Sequence, residues 1–199
     1  MKLVGVYLSP YVRRVAAAMI SRGLSYEHEP VNGYREFEVA SRYNPVAKVP
    51  SLVLDDGEIL IESSAILDYL NELVPSAPLI PAGSQARRAT LKLAAIGHGI
   101  CEQSVRLSGG RRSQAPESDM KRWRAQVLGG LSALDAVAGE GGPLRAAPLD
   151  AAGITAIVAV ELVALINPDL EILPSIPRLA EFVAQHRETP PFAQTRPTL

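Results

Sequence analysis

The sequence predicts a chain of two parts, an α/β N-terminal domain with the order β-α-β-α-β-β-α and an all-α C-terminal domain. Three observations carry this. Strand-length apolar runs alternate with helix-length ones as far as Val74, and Pro75, Pro78 and Pro81 then interrupt any regular element. Beyond them, apolar residues recur at helical spacing throughout. With 199 residues, 47% of them hydrophobic, the chain is long enough for a core in each part. The expected bounds are 1–75 for the first domain, 76–83 for a linker and 84–199 for the helical domain.

Lys2–Tyr7 reads as a short buried strand. Ser9-Pro10 then opens a helix, a hydroxyl N-cap followed by proline at the first helical position. Val12, Val15, Ala16, Met19 and Ile20 mark its inner face and Gly23 ends it. A strand around Tyr26–Pro30 completes a parallel crossover unit. The polar stretch Val31–Ala47 holds one short helix. Ser51–Leu54 and Glu58–Ile61 flank the hairpin signal Asp55-Asp56-Gly57. Ser63 or Ser64 caps a helix running to Val74, with Ile66, Leu67, Leu70 and Leu73 on one face. The helical domain offers Ser84–Leu107, Glu117–Ala138, Ala151–Ile166 and Ile176–His186, with breaks at Gly109-Gly110 and Gly139–Gly142.

Composition narrows the function classes. A formal net charge of -1 supplies no global field for nucleic acid or an anionic membrane. Cys101 is the one cysteine, so no intramolecular disulfide forms and a reducing, cytoplasmic setting is expected. The apolar stretch near Met1 is too short for a signal-peptide core, and Ile154–Ile166, interrupted by Glu161, falls short of the roughly 20 residues that span a bilayer. His28, His98 and His186 are scattered without metal-ligand spacing, so no metal is expected.

Three blocks of sequence resemble the cytosolic glutathione transferase superfamily, particularly bacterial members that open with Ser-Pro-aromatic-Val-Arg. They are Ser9-Pro10-Tyr11-Val12-Arg13, then Asn44-Pro45-Val46-Ala47-Lys48-Val49-Pro50-Ser51-Leu52-Val53 leading to Asp56-Gly57 and Glu62-Ser63, and the closing Pro190-Pro191-Phe192-Ala193-Gln194-Thr195. The resemblance runs along the whole chain in order. It implies a thioredoxin-like N-terminal domain, glutathione as co-substrate, a homodimer, and delivery of the thiol to a small hydrophobic electrophile, the chemistry of detoxification. It also implies a cis bond before Pro50.

On this reading the amide and carbonyl of Val49 pair with the extended tripeptide like an added strand, whereas the plainer reading is a trans proline starting an edge strand. Glu62 meets the α-ammonium of the γ-glutamyl group. Ser63 and the helix N-terminus meet its α-carboxylate; the plainer reading of Ser63 is a helix cap worth about 1 kcal/mol. Ser9 is the candidate catalytic hydroxyl. A cysteine thiol of pKa near 8.5 is only ~3% ionised at pH 7, and lowering it by about two units takes roughly 2.7 kcal/mol. A hydroxyl donor and a helix N-terminus aimed at sulfur are a source of that energy. Tyr7 and Tyr11 are the neighbouring alternatives.

Lys48 is either a partner for the glycyl carboxylate or a solvated loop lysine; Arg13 and Arg14 are by default surface arginines, with lining of the site or the domain boundary by one of them as the alternative. The second substrate is expected between the domains, near Tyr11, Ile100, Gln103, Ser104, Leu107 and Trp123, although helix-spaced apolar residues also serve as core. Cys101 reads as a small buried hydrophobe, and Arg111, Arg112, Lys121, Arg122 and Arg124 as a solvated basic face. The family pattern of a Ser/Thr cap with Asp three residues on is replaced by Asp150-Ala151-Ala152-Gly153, and Gly153 returns no side-chain bond. The competing function is a non-catalytic glutathione-binding or regulatory protein. A disulfide reductase is disfavoured because serine at position 9 forms no mixed disulfide.

Overall fold

A four-stranded mixed sheet in the order β2-β1-β3-β4 organises the first part of the chain. The computed structural model describes residues 1–139, 142–144 and 149–198, the side chain of Ser84 excepted. The elements run β1 (Lys2–Val4), α1 (Pro10–Ser21), β2 (Glu27–Glu29), α2 (Phe37–Tyr43), β3 (Ser51–Val53), β4 (Ile59–Ile61) and α3 (Ser63–Leu73), which is the expected order. β1 is parallel to β2 across the α1 crossover and antiparallel to β3, and β3 and β4 form the expected hairpin. At its tip Gly57 has φ 92°, open to glycine, while Asp56 Oδ1 accepts from the Glu58 amide at 3.0 Å.

Alternation along the short strands builds two cores. Val4 clusters with Val31, Ala40 and Ala47 on the α2 face, so Leu3 and its register partner Leu52 point the other way. There α1 contributes Val12, Val15, Ala16 and Met19, and α3 contributes Ile66, Leu67 and Leu70, all buried. The Tyr43 hydroxyl donates to both carboxylate oxygens of Glu29 at 2.9 Å, fastening α2 to β2. That bond, aided by Lys2, holds the Glu29 carboxyl below its ordinary range.

Clustering of the chain gives two compact units, Met1–Ile80 with Glu188–Leu199, and Pro81–Arg187. The closing segment thus returns to the first unit, where α8 (Pro190–Ala193) packs on α1 and fully buries Phe192. The beginning of the proline-rich stretch is also tied down. Arg22 Nε donates to the Ala77 carbonyl at 2.7 Å and the Ile80 amide to Asn71 Oδ1 at 2.8 Å.

The second unit contains α4 (Ser84–Ser113), α5 (Glu117–Asp135), α6 (Ala151–Ile166), two short 3-10 turns (Pro168–Leu170 and Leu173–Ser175) and α7 (Pro177–His186). Gly109-Gly110 does not break α4. A Cβ on Gly110 would lie 2.7 Å from both the Met120 sulfur and the Trp123 ring, so the glycine lets α5 close on α4. Gly97 serves the α4–α6 contact in the same way, with Thr155 Cγ2 at 2.9 Å. α6 is buried from Ala151 to Val160, as an all-round apolar helix demands. The Gly139–Gly142 break falls partly outside the described residues, at positions 140 and 141. Among the described residues, no helix is long and apolar enough to cross a membrane.

The N-terminus of α6 answers the missing capping box. Asp150 Oδ1 accepts from the Gly153 amide at 2.9 Å, and Oδ2 accepts from the Thr90 hydroxyl of α4 at 2.7 Å. A Cβ on Gly153 would lie 2.9 Å from Leu149 Cδ2 and 3.4 Å from Phe182, so α7 packs where a side chain would have stood.

Candidate functional site

Antiparallel pairing brings three distant pieces of sequence to one end of the sheet. Val4 at the end of β1 lies opposite Ser51 at the start of β3, and Ser51 lies opposite Ile61 at the end of β4. The segments leading on from these points are therefore neighbours: Gly5 towards Ser9, Val49-Pro50, and Glu62-Ser63. Gly5, at φ 134°, is where they close up. A Cβ there would meet Val12 Cγ2 at 2.4 Å and Val49 Cβ at 2.9 Å, so only glycine fits.

The Val49–Pro50 bond is cis, as the resemblance implies. Pro50 is buried and Val49 half-buried, and among the described residues neither the amide nor the carbonyl of Val49 has a protein partner. The turn before it is held by buried Asn44, whose Oδ1 accepts from the Val46 amide at 3.1 Å and whose Nδ2 donates to the Lys48 carbonyl at 2.8 Å. The Lys48 side chain is exposed.

Ser9 occupies the N-cap position of α1 with an extended backbone (φ -71°, ψ 118°), and its carbonyl accepts from the Arg13 amide at 2.9 Å. Its hydroxyl makes no capping bond, unlike the expected dual role. Proline at the next position removes one donor that a cap would address. Among the described residues Ser9 Oγ thus has no capping partner, and it stands beside a helix N-terminus. Tyr7, one alternative, is committed elsewhere: its hydroxyl lies 2.9 Å from that of Tyr26 and its ring stacks on His28 at 4.1 Å. These residues line a cavity of about 390 Å³ that also reaches Ile20, Leu24 and Gln194 and does not include Ser9. Burial and the Tyr7 bond push the Tyr26 phenol far up, so it stays protonated. Tyr11 is half-buried.

The cap of α3 is Glu62, not either serine. Glu62 has φ 70°, and its Oε2 accepts from the Ser64 amide at 2.9 Å. Buried Ser63 donates from Oγ to Glu62 Oε1 at 3.2 Å. Of the two arginines weighed for lining the site, Arg14 is the one that reaches the start of α3. It is 3% exposed, and its Nη2 donates to Ser63 Oγ at 2.7 Å and to Ser64 Oγ at 2.6 Å, with Glu62 Oε1 at 3.9 Å. Arg13 is buried too and donates to the Phe192 carbonyl at 3.4 Å. The surface expectation fails for both because α1 packs against α3 and α8, and Arg13 reaches α8 while Arg14 reaches α3.

In the second unit, Ile100, Ser104 and Leu107 lie in the core of the helical bundle. Ser104 Oγ accepts from Asn167 Nδ2 at 2.6 Å, and Arg111 Nη1 donates to Asn167 Oδ1 at 2.5 Å. Gln103 and Trp123 are half-buried and Cys101 is buried. The basic stretch is laced with carboxylates: Arg111 with Asp169, Lys121 with Glu117 and Arg122 with Asp119. No group of three metal-ligating side chains occurs among the described residues.

Sheet order, cis proline and acidic helix cap together define a thioredoxin-like unit, to which a helical unit is appended. Residues 3–78 match the family described as glutathione S-transferase, N-terminal domain. The chain is 30% identical to the maleylacetoacetate isomerase of Pseudomonas aeruginosa, over 99% of this chain and 96% of that protein. It superposes on a glutathione S-transferase of Methylobacterium radiotolerans in complex with glutathione sulfonate (TM-score 0.91, 25% identity, 100% and 95% of the two chains). It also superposes on a glutathione transferase family member of Pseudomonas fluorescens with bound glutathione (TM-score 0.88, 28% identity, 100% and 99%). The chain belongs to the glutathione S-transferase family.

Proposed function

We propose that the protein binds glutathione on its first unit and activates the thiol for attack on a small hydrophobic electrophile. The observation that carries this is the convergence of Ser9, the unpartnered backbone of Val49 and the Glu62-Ser63 helix start at one end of the sheet. Two solved relatives contain glutathione or its sulfonate.

Val49 pairs with the cysteinyl residue through its amide and carbonyl, which sets the tripeptide as a short extra strand. Glu62 takes the α-ammonium, Ser63 and the first amide of α3 take the α-carboxylate, and Lys48 faces the glycyl carboxylate. The sulfur then lies beside Ser9 at the start of α1. The thiol proton passes to solvent, and the Ser9 O–H and the helix end favour the thiolate that remains. The thiolate forms the bond to the electrophilic carbon, which expels its leaving group with the bonding pair (chloride from a chloronitrobenzene) or, where it ends a polarised double bond, passes on the π pair, which then takes a proton from solvent. Tyr11, partly exposed and two residues from Ser9, is the candidate in the first unit for contact with that second substrate. The same reading includes a cytoplasmic homodimer and no metal.

A second reading, isomerisation of maleylacetoacetate, is favoured by the Pseudomonas aeruginosa relative that aligns along nearly the whole chain. The thiolate is the working group in both. Calorimetric titration with glutathione, run beside turnover of a chloronitrobenzene and of maleylacetoacetate, separates them. Ser9→Ala is expected to lower turnover by roughly 100-fold with little change in glutathione affinity, a loss of about 2.7 kcal/mol in transition-state stabilisation. Unchanged turnover in Ser9→Ala removes the catalytic role of Ser9. Binding without turnover of any electrophile supports the non-catalytic alternative.

A further inference from the structure

We infer that Arg14 is a positioning residue for glutathione: it sets the hydroxyl directions of Ser63 and Ser64 so that the start of α3 is a donor site reserved for the α-carboxylate. This rests on the glutathione reading above and goes beyond it by assigning a residue of α1 to the recognition of one chemical group of the ligand.

The argument begins with what a guanidinium is able to do. It donates through all its N–H groups and accepts nothing. Arg14 Nη2 lies 2.7 Å from Ser63 Oγ and 2.6 Å from Ser64 Oγ, so each serine oxygen is an acceptor on that side. Each hydroxyl hydrogen is consequently turned away from Arg14. For Ser63 the hydrogen is directed at Glu62 Oε1, at 3.2 Å. A carboxylate is thus already the acceptor for the Ser63 hydroxyl. An incoming α-carboxylate takes this hydrogen over from Glu62 Oε1, which is released to meet the α-ammonium, and the Ser63 lone pair held by Arg14 is not turned at the ligand. Without Arg14, the Ser63 hydroxyl is free to rotate and to present its oxygen instead.

Placement reinforces this. Arg14 is 3% exposed and Ser63 is 1% exposed, so the bond between them is shielded from water, whereas Ser64 is exposed. Its charge stands behind the helix N-terminus and adds to the partial positive charge there. Glu62, with 56% of its side chain exposed, remains on the solvent side, 3.9 Å from Arg14 Nη2. The cation therefore lies beneath the serines and the anion above them, the polarity that a zwitterionic glutamyl group requires. Arg14 touches no ligand on this account and acts only through Ser63 and Ser64.

The test compares glutathione with γ-aminobutyryl-cysteinyl-glycine, which lacks only the α-carboxylate, in the wild-type protein, Arg14→Gln and Arg14→Lys. Calorimetric Kd, kcat and KM for glutathione, and a thermal melt are measured for each. Arg14→Gln is expected to raise the Kd and KM for glutathione at least tenfold, with kcat at saturation within about threefold of wild type. Arg14→Lys keeps the charge, but a single ammonium does not reproduce the planar fork. It is expected to raise the Kd several-fold and covers the case of an unfolded glutamine variant. The Kd for the analogue is expected to be the same in all three proteins. An equal loss for both ligands would reduce Arg14 to a structural role and overturn the inference while leaving glutathione binding intact. Unchanged glutathione affinity in a folded variant overturns it too. If the wild-type protein binds no glutathione at millimolar concentration, the glutathione reading itself fails and the inference falls with it.

Discussion

Helices α3 and α6 each start on an acidic cap, and the two caps are finished differently. At α6, Asp150 uses one oxygen on the Gly153 amide and the other on the Thr90 hydroxyl of α4, so its acceptors serve the packing of its own unit. At α3, Glu62 caps the Ser64 amide but keeps a largely exposed carboxylate, and the polar groups beside it are organised from below by Arg14. One cap locks two helices together. The other leaves the Ser64 hydroxyl and an anion facing solvent. A helix N-terminus becomes a binding site when its neighbours leave donors to spare, and acidic residues alone do not distinguish the two cases.

This contrast is open to attack by substitution. The largest effect on stability is expected for Asp150→Ala, which loses a cap worth about 1 kcal/mol and leaves the Thr90 hydroxyl without its acceptor, for a total of about 2 kcal/mol or more. Chemical denaturation reads the loss, while the glutathione Kd is expected to stay within about twofold. Glu62→Ala should invert the pattern. About 0.5–1 kcal/mol of stability goes with the cap, whereas glutathione affinity drops at least tenfold. Equal destabilisation by the two substitutions, measured in the same denaturant series, would erase the distinction.

A smaller effect concerns the far end of the second unit. Burial lowers the pKa of His186, which also meets Phe182 edge-on at 5.0 Å. A depressed value means that the unfolded chain takes up the proton more readily than the folded one. Stability is therefore complete above the ordinary histidine pKa of about 6.5 and declines as pH falls through the lowered value. His186→Phe is expected to flatten the stability profile between about pH 7 and 5, and an unaltered slope there would assign the decline to other groups.

Much of the first unit was legible in the chain. The crossover β1-α1-β2, the Asp55-Asp56-Gly57 hairpin and the start of α3 all depend on signals within a few residues of one another, and each formed as expected. Gly109-Gly110 misled as a helix break, and Gly153, whose helix formed as expected, shares the reason. Glycine weakens a helix locally, but both positions lie where another helix closes in, and the absent side chain is what admits Trp123 at one and Phe182 at the other. The capping role expected for Ser63 or Ser64 went to Glu62, and the serines were left for Arg14.

By itself, the sequence determined the order of the elements, the division between a mixed α/β part and a helical part, and the blocks around Ser9, Val49-Pro50 and Glu62-Ser63. The order and the division follow from periodicity, turn chemistry and capping, which act over one or two turns of chain, and the blocks from the resemblance to the family. Tertiary structure alone decided that Arg14 is buried against Ser63, that Tyr7 turns to Tyr26, that Asp150 holds Thr90 and that Asn167 holds Ser104. Each of those partners comes from a different element. A long polar side chain has no preferred partner until packing removes water from around it and leaves one acceptor within reach.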